Sequence, residues 1–196
     1  MKKIILTLGL VLTISFANAQ TTNAGTFSKP AAGSSLVEVV FTPNLSGATM
    51  FALPAFYGKA SAQGLRLRKF SSETDAIRYT ALLSVNKEDG DANTAIAFAL
   101  GMGVEHHMKG ATRLSTYWGY EGNMGYANDA LKKTTLGVSA QLFTGFDYYV
   151  VPNLYLGCEL NYGLSVISTV PDGGNISTSI GLNPNVSPTL RMGWKF

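Results

Sequence analysis

The chain has 196 residues, enough for one domain and too few for a second sizeable core. Charged residues make up 14% of it, well under the roughly 25% usual in soluble domains, and glycine occurs 21 times. With the first 19 residues set aside, 13 basic residues stand against 12 acidic ones, a balance that gives no case for nucleic-acid binding.

The chain opens on the three parts of a secretory signal. Lys2 and Lys3 precede an apolar run over residues 4–16, and Ala17-Asn18-Ala19 forms a small-x-small cleavage site. The run is too short to span a bilayer as a helix, which takes about 20 apolar residues, so cleavage near Ala19 is expected rather than a retained anchor. No long apolar stretch follows, which argues against a helical membrane protein. Cys158 is the only cysteine, so no internal disulfide can form.

Beyond residues 20–34 the sequence takes on a period of two, the signature of strands. Val37, Val39 and Phe41 oppose Glu38, and Leu65 and Leu67 oppose Arg66 and Arg68. Over residues 76–87, Ile77, Tyr79, Ala81, Leu83 and Val85 oppose Arg78, Thr80, Ser84 and Asn86. Residues 94–107 alternate most cleanly, with Ile96, Phe98, Leu100, Met102 and Val104 against Ala95, Ala97, Ala99, Gly101, Gly103 and Glu105. Over residues 112–125, Leu114, Trp118 and Tyr120 oppose Arg113, Ser115, Gly119 and Glu121; over 136–150, Leu136, Val138, Leu142, Phe146 and Tyr148 oppose Gly137, Ser139, Gln141, Gly145 and Asp147. Residues 153–168 set Leu154, Leu156, Cys158, Leu160, Tyr162 and Leu164 against Tyr155, Gly157, Glu159, Asn161, Gly163 and Ser165. The last segment sets Leu190, Met192, Trp194 and Phe196 against Thr189, Arg191, Gly193 and Lys195.

One face of these strands is bulky and apolar, and the other is largely small. A strand of a soluble sandwich turns long polar groups to water on its second face. Small residues suit a narrow lumen instead, with the bulky face turned to lipid. The segments number eight, and bacterial barrels have even strand numbers. Links near residues 71–73, 108–111 and 150–153 are short, whereas 43–63 and 169–185 are long, as expected of turns at one end of a barrel and loops at the other.

The alternation, the alternating link lengths and the terminal Arg191-Met192-Gly193-Trp194-Lys195-Phe196 resemble the OmpA/OmpX-like family of small outer-membrane β-barrels. The resemblance covers about residues 28–196. It implies an all-β, eight-stranded antiparallel up-and-down barrel over residues 35–196, a signal peptide over 1–19 and a periplasmic extension over 20–34. It also implies outer-membrane lipid as surroundings and barrel-assembly machinery as a partner during biogenesis, with Trp194 and Phe196 as the C-terminal assembly signal.

Inside such a barrel the inward rows carry Glu38, Arg66, Arg68, Arg78, Glu105, Arg113, Glu121, Asp147, Glu159, Arg191 and Lys195. Buried charges are costly unless paired, so a balanced ion-pair network is expected, with Glu105 between Arg78 and Arg113, Glu159 facing Arg191, and Glu38 meeting Lys195 across the closing seam. His106 and His107 are adjacent on a strand and point to opposite faces, so they are not expected to chelate one ion. Ser115 lies low on its strand, far from an extracellular rim. Asp89-Gly90-Asp91-Ala92-Asn93 departs from a calcium loop, with Thr94 where glycine belongs and Leu100 where glutamate belongs. The expectation is therefore a barrel without enzymatic activity, metal or cofactor, serving a structural role or binding a partner through loops 43–63 and 169–185. A narrow channel for ions or small solutes is the alternative, and a lipid-modifying enzyme is less favoured.

Overall fold

The computed structural model describes residues 29–43, 51–52, 55–56, 59–61, 63–87, 94–108, 112–128, 133–171, 173–183 and 188–196. The alternating segments all form strands: β1 (Ser35–Pro43), β2 (Phe51–Ala52), β3 (Ala55–Phe56), β4 (Lys59–Ser61), β5 (Gln63–Phe70), β6 (Asp75–Lys87), β7 (Thr94–His107), β8 (Leu114–Asn128), β9 (Thr134–Val151), β10 (Leu154–Val170), β11 (Ser177–Asn183) and β12 (Pro188–Lys195). From β5 to β10 each strand pairs antiparallel with the next. β10 then pairs with β12, β12 with β1, and β1 with β5, which closes an eight-stranded antiparallel barrel. Closure removes the unpaired edges that an open sheet would carry.

The eighth wall has two parts. β10 holds β12 up to Leu160↔Pro188 and holds β11 from Gly163↔Asn183 onward. Five residue steps on the last wall thus oppose three on β10. The excess is two residues, and an even excess keeps the faces in phase, so Leu182 and Ile180 stand beside Leu164 and Val166.

The loop expected over residues 169–185 is therefore shorter. β10 runs on to Val170 and β11 begins at Ser177, leaving residues 171–176 as the connection, with Gly173 at a positive φ of 73°. Within the 43–63 segment, β2 pairs with the end of β1 (Thr42↔Ala52) and β3 pairs with β4. The signal peptide, most of residues 20–34 and the Asp89–Asn93 stretch lie outside the described residues.

At the other end the connections are tight, as expected. Residues 152–153 join β9 to β10, with Asn153 at a φ of 77°, a conformation its short polar side chain tolerates. Both ends of the barrel fold meet there. Gly33, at a φ of 85°, donates its N–H to the Phe70 carbonyl (2.8 Å), and Phe196 donates to the Ser35 carbonyl (3.0 Å). Residues 71–75 close the β5–β6 turn with a side-chain cluster: Asp75 Oδ2 accepts from Ser72 Oγ (2.7 Å) and Thr74 Oγ1 (3.0 Å), and Asp75 Oδ1 lies 2.8 Å from His106 Nδ1. These contacts, that of Ser72 foremost, hold the Asp75 carboxyl below its ordinary value. The turn's stabilisation from this source is present at neutral pH and lost as pH falls through the lowered value. Ser72→Ala should bring the Asp75 titration midpoint, read by carboxyl NMR shifts, back toward the usual ~3.9; an unmoved midpoint would remove Ser72 from that role.

Polarity is inverted relative to a water-soluble domain. Leu100, Met124 and Leu142 are 57, 63 and 60% exposed, whereas Arg68, Glu105 and Asp147 are 0% exposed. The interior is layered. Leu36, Phe70, Ala76, Tyr149 and Tyr155 cluster at the tight-turn end, charges fill the middle, and Ala97, Ala99 and Ala127 with Leu82 lie toward the other end. Phe70 belongs to the inner cluster because it shares the face of Arg66 and Arg68 on β5, whereas Tyr148 and Trp118 face outward.

Candidate functional site: a charged lumen

Four guanidiniums and five carboxylates meet in the middle of the lumen. Each arrives there because its strand alternates, and because inward glycines leave room for long or aromatic side chains from neighbouring walls. A Cβ on Gly193 would strike the Tyr155 ring, and one on Gly119 would strike the Val104 carbonyl and the Phe143 ring. The glycine content of the inner face is thus the space that the ion pairs and their aromatic partners occupy.

Arg68 on β5 is the most connected. Its Nε donates to Glu105 Oε2 (2.7 Å), its Nη2 pairs with the same carboxylate, and its Nη1 reaches Asp147 Oδ2 (2.7 Å), Glu38 Oε1 (3.1 Å) and the Tyr155 hydroxyl (3.3 Å). Its guanidinium lies 5.4 Å from the centre of the Tyr117 ring and 5.5 Å from that of Phe70. Arg78 pairs with Glu121, donates to Glu159 Oε2 (2.8 Å) and stacks 3.3 Å over the Phe143 ring. Arg191 pairs with Asp147, with Glu159 Oε2 (3.2 Å) and with Glu38 Oε2 (3.3 Å). Arg66 donates through Nε to Thr80 Oγ1 (3.2 Å) and approaches Glu159 Oε1 (3.5 Å) and Glu38 Oε2 (3.7 Å) more loosely. Arginine suits this layer because its planar fork serves two carboxylates while its face rests on an aromatic ring. Lysine can do only the first, and as a point charge.

Nine of the eleven charged residues assigned to the lumen are brought together, and two are not. Arg113 is exposed beside the tight-turn end, where its carbonyl accepts from the Tyr149 N–H (2.9 Å). Lys195 is half-buried at the rim, opposite Leu36 in the register, and its N–H donates to the Asn153 carbonyl (2.7 Å). Both continue the inward phase, but at strand ends: Arg113 immediately precedes β8 and Lys195 is the last residue of β12. Glu38 consequently pairs with Arg66, Arg68 and Arg191 rather than Lys195, and Glu105 pairs with Arg68, Arg78 and His107 rather than Arg113. Glu159 does face Arg191.

The two histidines separate as their spacing requires. His106 points outward and lies 4.7 Å from the Trp118 ring, centre to centre, while His107 is buried between Phe70 and Tyr117. His107 Nδ1 lies 2.9 Å from Ser115 Oγ and its Nε2 lies 3.1 Å from Glu105 Oε2. This sequence of hydroxyl, imidazole and carboxylate has the order of a nucleophile, base and acid. Arg68 works against that use. Its Nη2, which can only donate, lies 2.9 Å from His107 Nε2, and its two bonds to Glu105 occupy the charge that would stabilise an imidazolium. Ser115 lines an open cleft of about 410 Å³ at the tight-turn end with Lys29, Pro30, Glu73, Thr74 and Met108.

His107, Tyr117 and Phe143 were not among the expected lumen residues. Parity with Glu105 on β7, Ser115 on β8 and Gln141 on β9 was the signal that could have found them. Trp194 is half-buried on the outer row of β12, and Phe196 is exposed beside the seam.

No family model matches the chain, and no curated protein matches it. Solved structures similar to it include the N-terminal β-barrel domain of Pseudomonas aeruginosa OprF (12% identity, 85% of this chain, 100% of that one, TM-score 0.47). The outer membrane protein OprG from Pseudomonas aeruginosa is also similar (16% identity, 88% and 99% covered, TM-score 0.48), as is the outer membrane protein AlkL in lipid bilayers (13% identity, 90% and 94% covered, TM-score 0.48).

Proposed function

We propose that the chain is an integral outer-membrane barrel with a plugged lumen and a non-enzymatic role, supporting the envelope and presenting its long-loop end to a partner outside the cell. The inversion of polarity carries this. Fully buried Arg68, Glu105 and Asp147 stand inside a wall whose large apolar side chains face outward, an arrangement favoured in lipid and unfavourable in water. The filled middle of the lumen supports a scaffold over a pore, since eight strands enclose little space beyond their own side chains. Export with cleavage near Ala19 and recognition of Trp194 and Phe196 by barrel-assembly machinery complete the proposal, with outer-membrane lipid around the wall. Ser115 and His107 serve the fold in it.

The deciding experiment is gel migration of the purified protein in detergent, with and without boiling, beside circular dichroism. A sheet-rich spectrum and a mobility shift on boiling are expected. A protein that stays soluble without detergent and does not shift would overturn the proposal. Deleting residues 44–62 or 171–176 should preserve the shift and abolish partner binding.

A second possibility, a narrow channel for ions or small solutes, draws on one observation. Several buried polar atoms of the lumen, among them Arg78 Nη2, Arg191 Nε and Asn161 Oδ1, lack hydrogen-bond partners, as they would along a hydrated path. Planar bilayer recordings of the folded protein are expected to be silent; discrete conductance steps would put the channel in first place.

A further inference from the structure

The open cleft of about 410 Å³ at the tight-turn end lies within the size range of small-molecule sites, and the ion-pair layer does not fill it. Ser115 lines it while only 2% exposed, so it forms the floor rather than the rim. The direction of its hydroxyl hydrogen follows from its neighbours. Arg68 Nη2 can only donate, and it lies 2.9 Å from His107 Nε2. That nitrogen therefore accepts, and the ring hydrogen is on Nδ1, 2.9 Å from Ser115 Oγ. Glu105 Oε2, 3.1 Å from Nε2, is a second acceptor of the same Arg68 group. Ser115 Oγ thus accepts from His107, and its own hydrogen is left to give into the cleft. The other hydroxyl of the lining, that of Thr74, is held at Asp75 Oδ2 (3.0 Å). Lys29 and Glu73 border the same cleft, and among the described residues neither is in an ion pair, with the other or with a third group. Solvated charges on a surface need no partner. What distinguishes these two is the buried donor in the cleft they share.

We propose that this cleft binds a zwitterion, the ammonium and carboxylate of an α-amino acid or of a short peptide, at the end of the barrel opposite the long loops. The ligand carboxylate takes the Ser115 hydrogen and the Lys29 ammonium, and the ligand ammonium goes to Glu73. Pro30, Ala31 and Met108 supply the apolar part of the lining, which suits a small side chain. A simple anion would meet Lys29 and Ser115 but bring a like charge to Glu73, and a simple cation would meet Glu73 but bring one to Lys29. A ligand that carries both charges satisfies both residues. The bond from His107 to Ser115 is kept, so binding leaves the ion-pair layer intact and no reaction follows. This site goes beyond the scaffold reading above, since it needs the closed barrel but neither the lipid around it nor the long loops.

The test uses the purified protein folded in detergent, with the boiling-dependent mobility shift established first for every variant so that a failed barrel is told apart from an absent site. The Met108 methyl signal, assigned by its loss in Met108→Leu, is followed by NMR while L-alanine, L-alanyl-L-alanine, propionate and ethylamine are titrated in turn. A saturable shift with a zwitterion is expected, and whether alanine or the dipeptide saturates first tells a free amino acid from a peptide end. Lys29→Gln and Glu73→Gln should each require about tenfold more of that zwitterion, the worth of one charge-assisted hydrogen bond. Ser115→Ala should require about fivefold more, the worth of a neutral one. Glu73→Gln should also let propionate bind, which the wild type does not. Absence of a saturable shift with either zwitterion in the wild type would overturn the proposal. So would propionate or ethylamine acting as well as alanine, or unchanged zwitterion binding in both charge variants.

Discussion

Arg68→Met should cost the folded barrel about 3–5 kcal/mol, the range for breaking a buried ion pair by removing one partner. The reason lies less in what Arg68 contributes than in what its absence leaves behind. Glu105, Asp147 and Glu38 all turn oxygens toward the Arg68 guanidinium, and all three are fully buried. With methionine at 68, Glu105 keeps only the longer approach of Arg78 (3.5 Å) and the neighbouring His107 (3.1 Å). Asp147 and Glu38 fall back on Arg191, with Arg66 at 3.7 Å from Glu38. Urea unfolding followed by tryptophan fluorescence in detergent gives the number. Adding Glu105→Leu to Arg68→Met should recover part of the loss, because an apolar pair of similar volume leaves one fewer unmatched charge. A single variant within 1 kcal/mol of wild type would mean that solvent reaches this layer and screens it, which would also revive the channel.

Leu142→Arg should cost about 2–4 kcal/mol, the penalty for a cation on the lipid face of a barrel near mid-membrane. Leu142 is 60% exposed, and its neighbours across the strands, Tyr120 and Tyr162, also face outward. In a soluble protein an exposed leucine of this kind tolerates arginine within about 0.5 kcal/mol. The substitution therefore reads the solvent rather than the packing. Refolding into lipid vesicles, with the folded fraction read from gel mobility, separates the two cases. A near-neutral result would place water outside the barrel and require the apolar wall to be covered by something other than lipid.

Much of this was legible in the sequence because a strand's period is two. Once Phe98 and Leu100 face one way on β7, Ala97, Ala99 and Glu105 must face the other, and the same holds from Leu154 to Ser165 on β10. Parity fixes the face of a side chain but not its height. That is why Arg113 and Lys195, both in inward phase, fall outside the ion-pair layer, and why the partners of Glu38 and Glu105 come from farther around the barrel than adjacent strands suggest. Long arginine side chains reach across the lumen: Arg68 on β5 meets Asp147 on β9. Sequence gives no access to that until the wall has closed and its width is known. β11 was hidden for another reason. Pro171, Gly173 and Gly174 on one side and Pro184 on the other have the composition of a loop, and the seven residues of β11 between them are kept in a strand by the β10 edge beside them.

The seam between β1 and β12 has a consequence for how the protein comes to be. Every other wall contact joins neighbours along the chain, and each hairpin can form as soon as its second strand is available. The seam joins Leu36 to Lys195, close to the two ends of the folded part, so the cylinder cannot shut until the last strand has been delivered. Bringing such distant segments together carries a chain entropy cost that grows slowly with their separation, but its kinetic effect is large, since non-local pairing is the slow part of folding. Until that moment the first and last strands both offer a row of bare amides and carbonyls to any passing extended chain. The interval between emergence of β1 and arrival of β12 is when this polypeptide is most exposed to aggregation, and when a chaperone that occupies a strand edge has the most to protect.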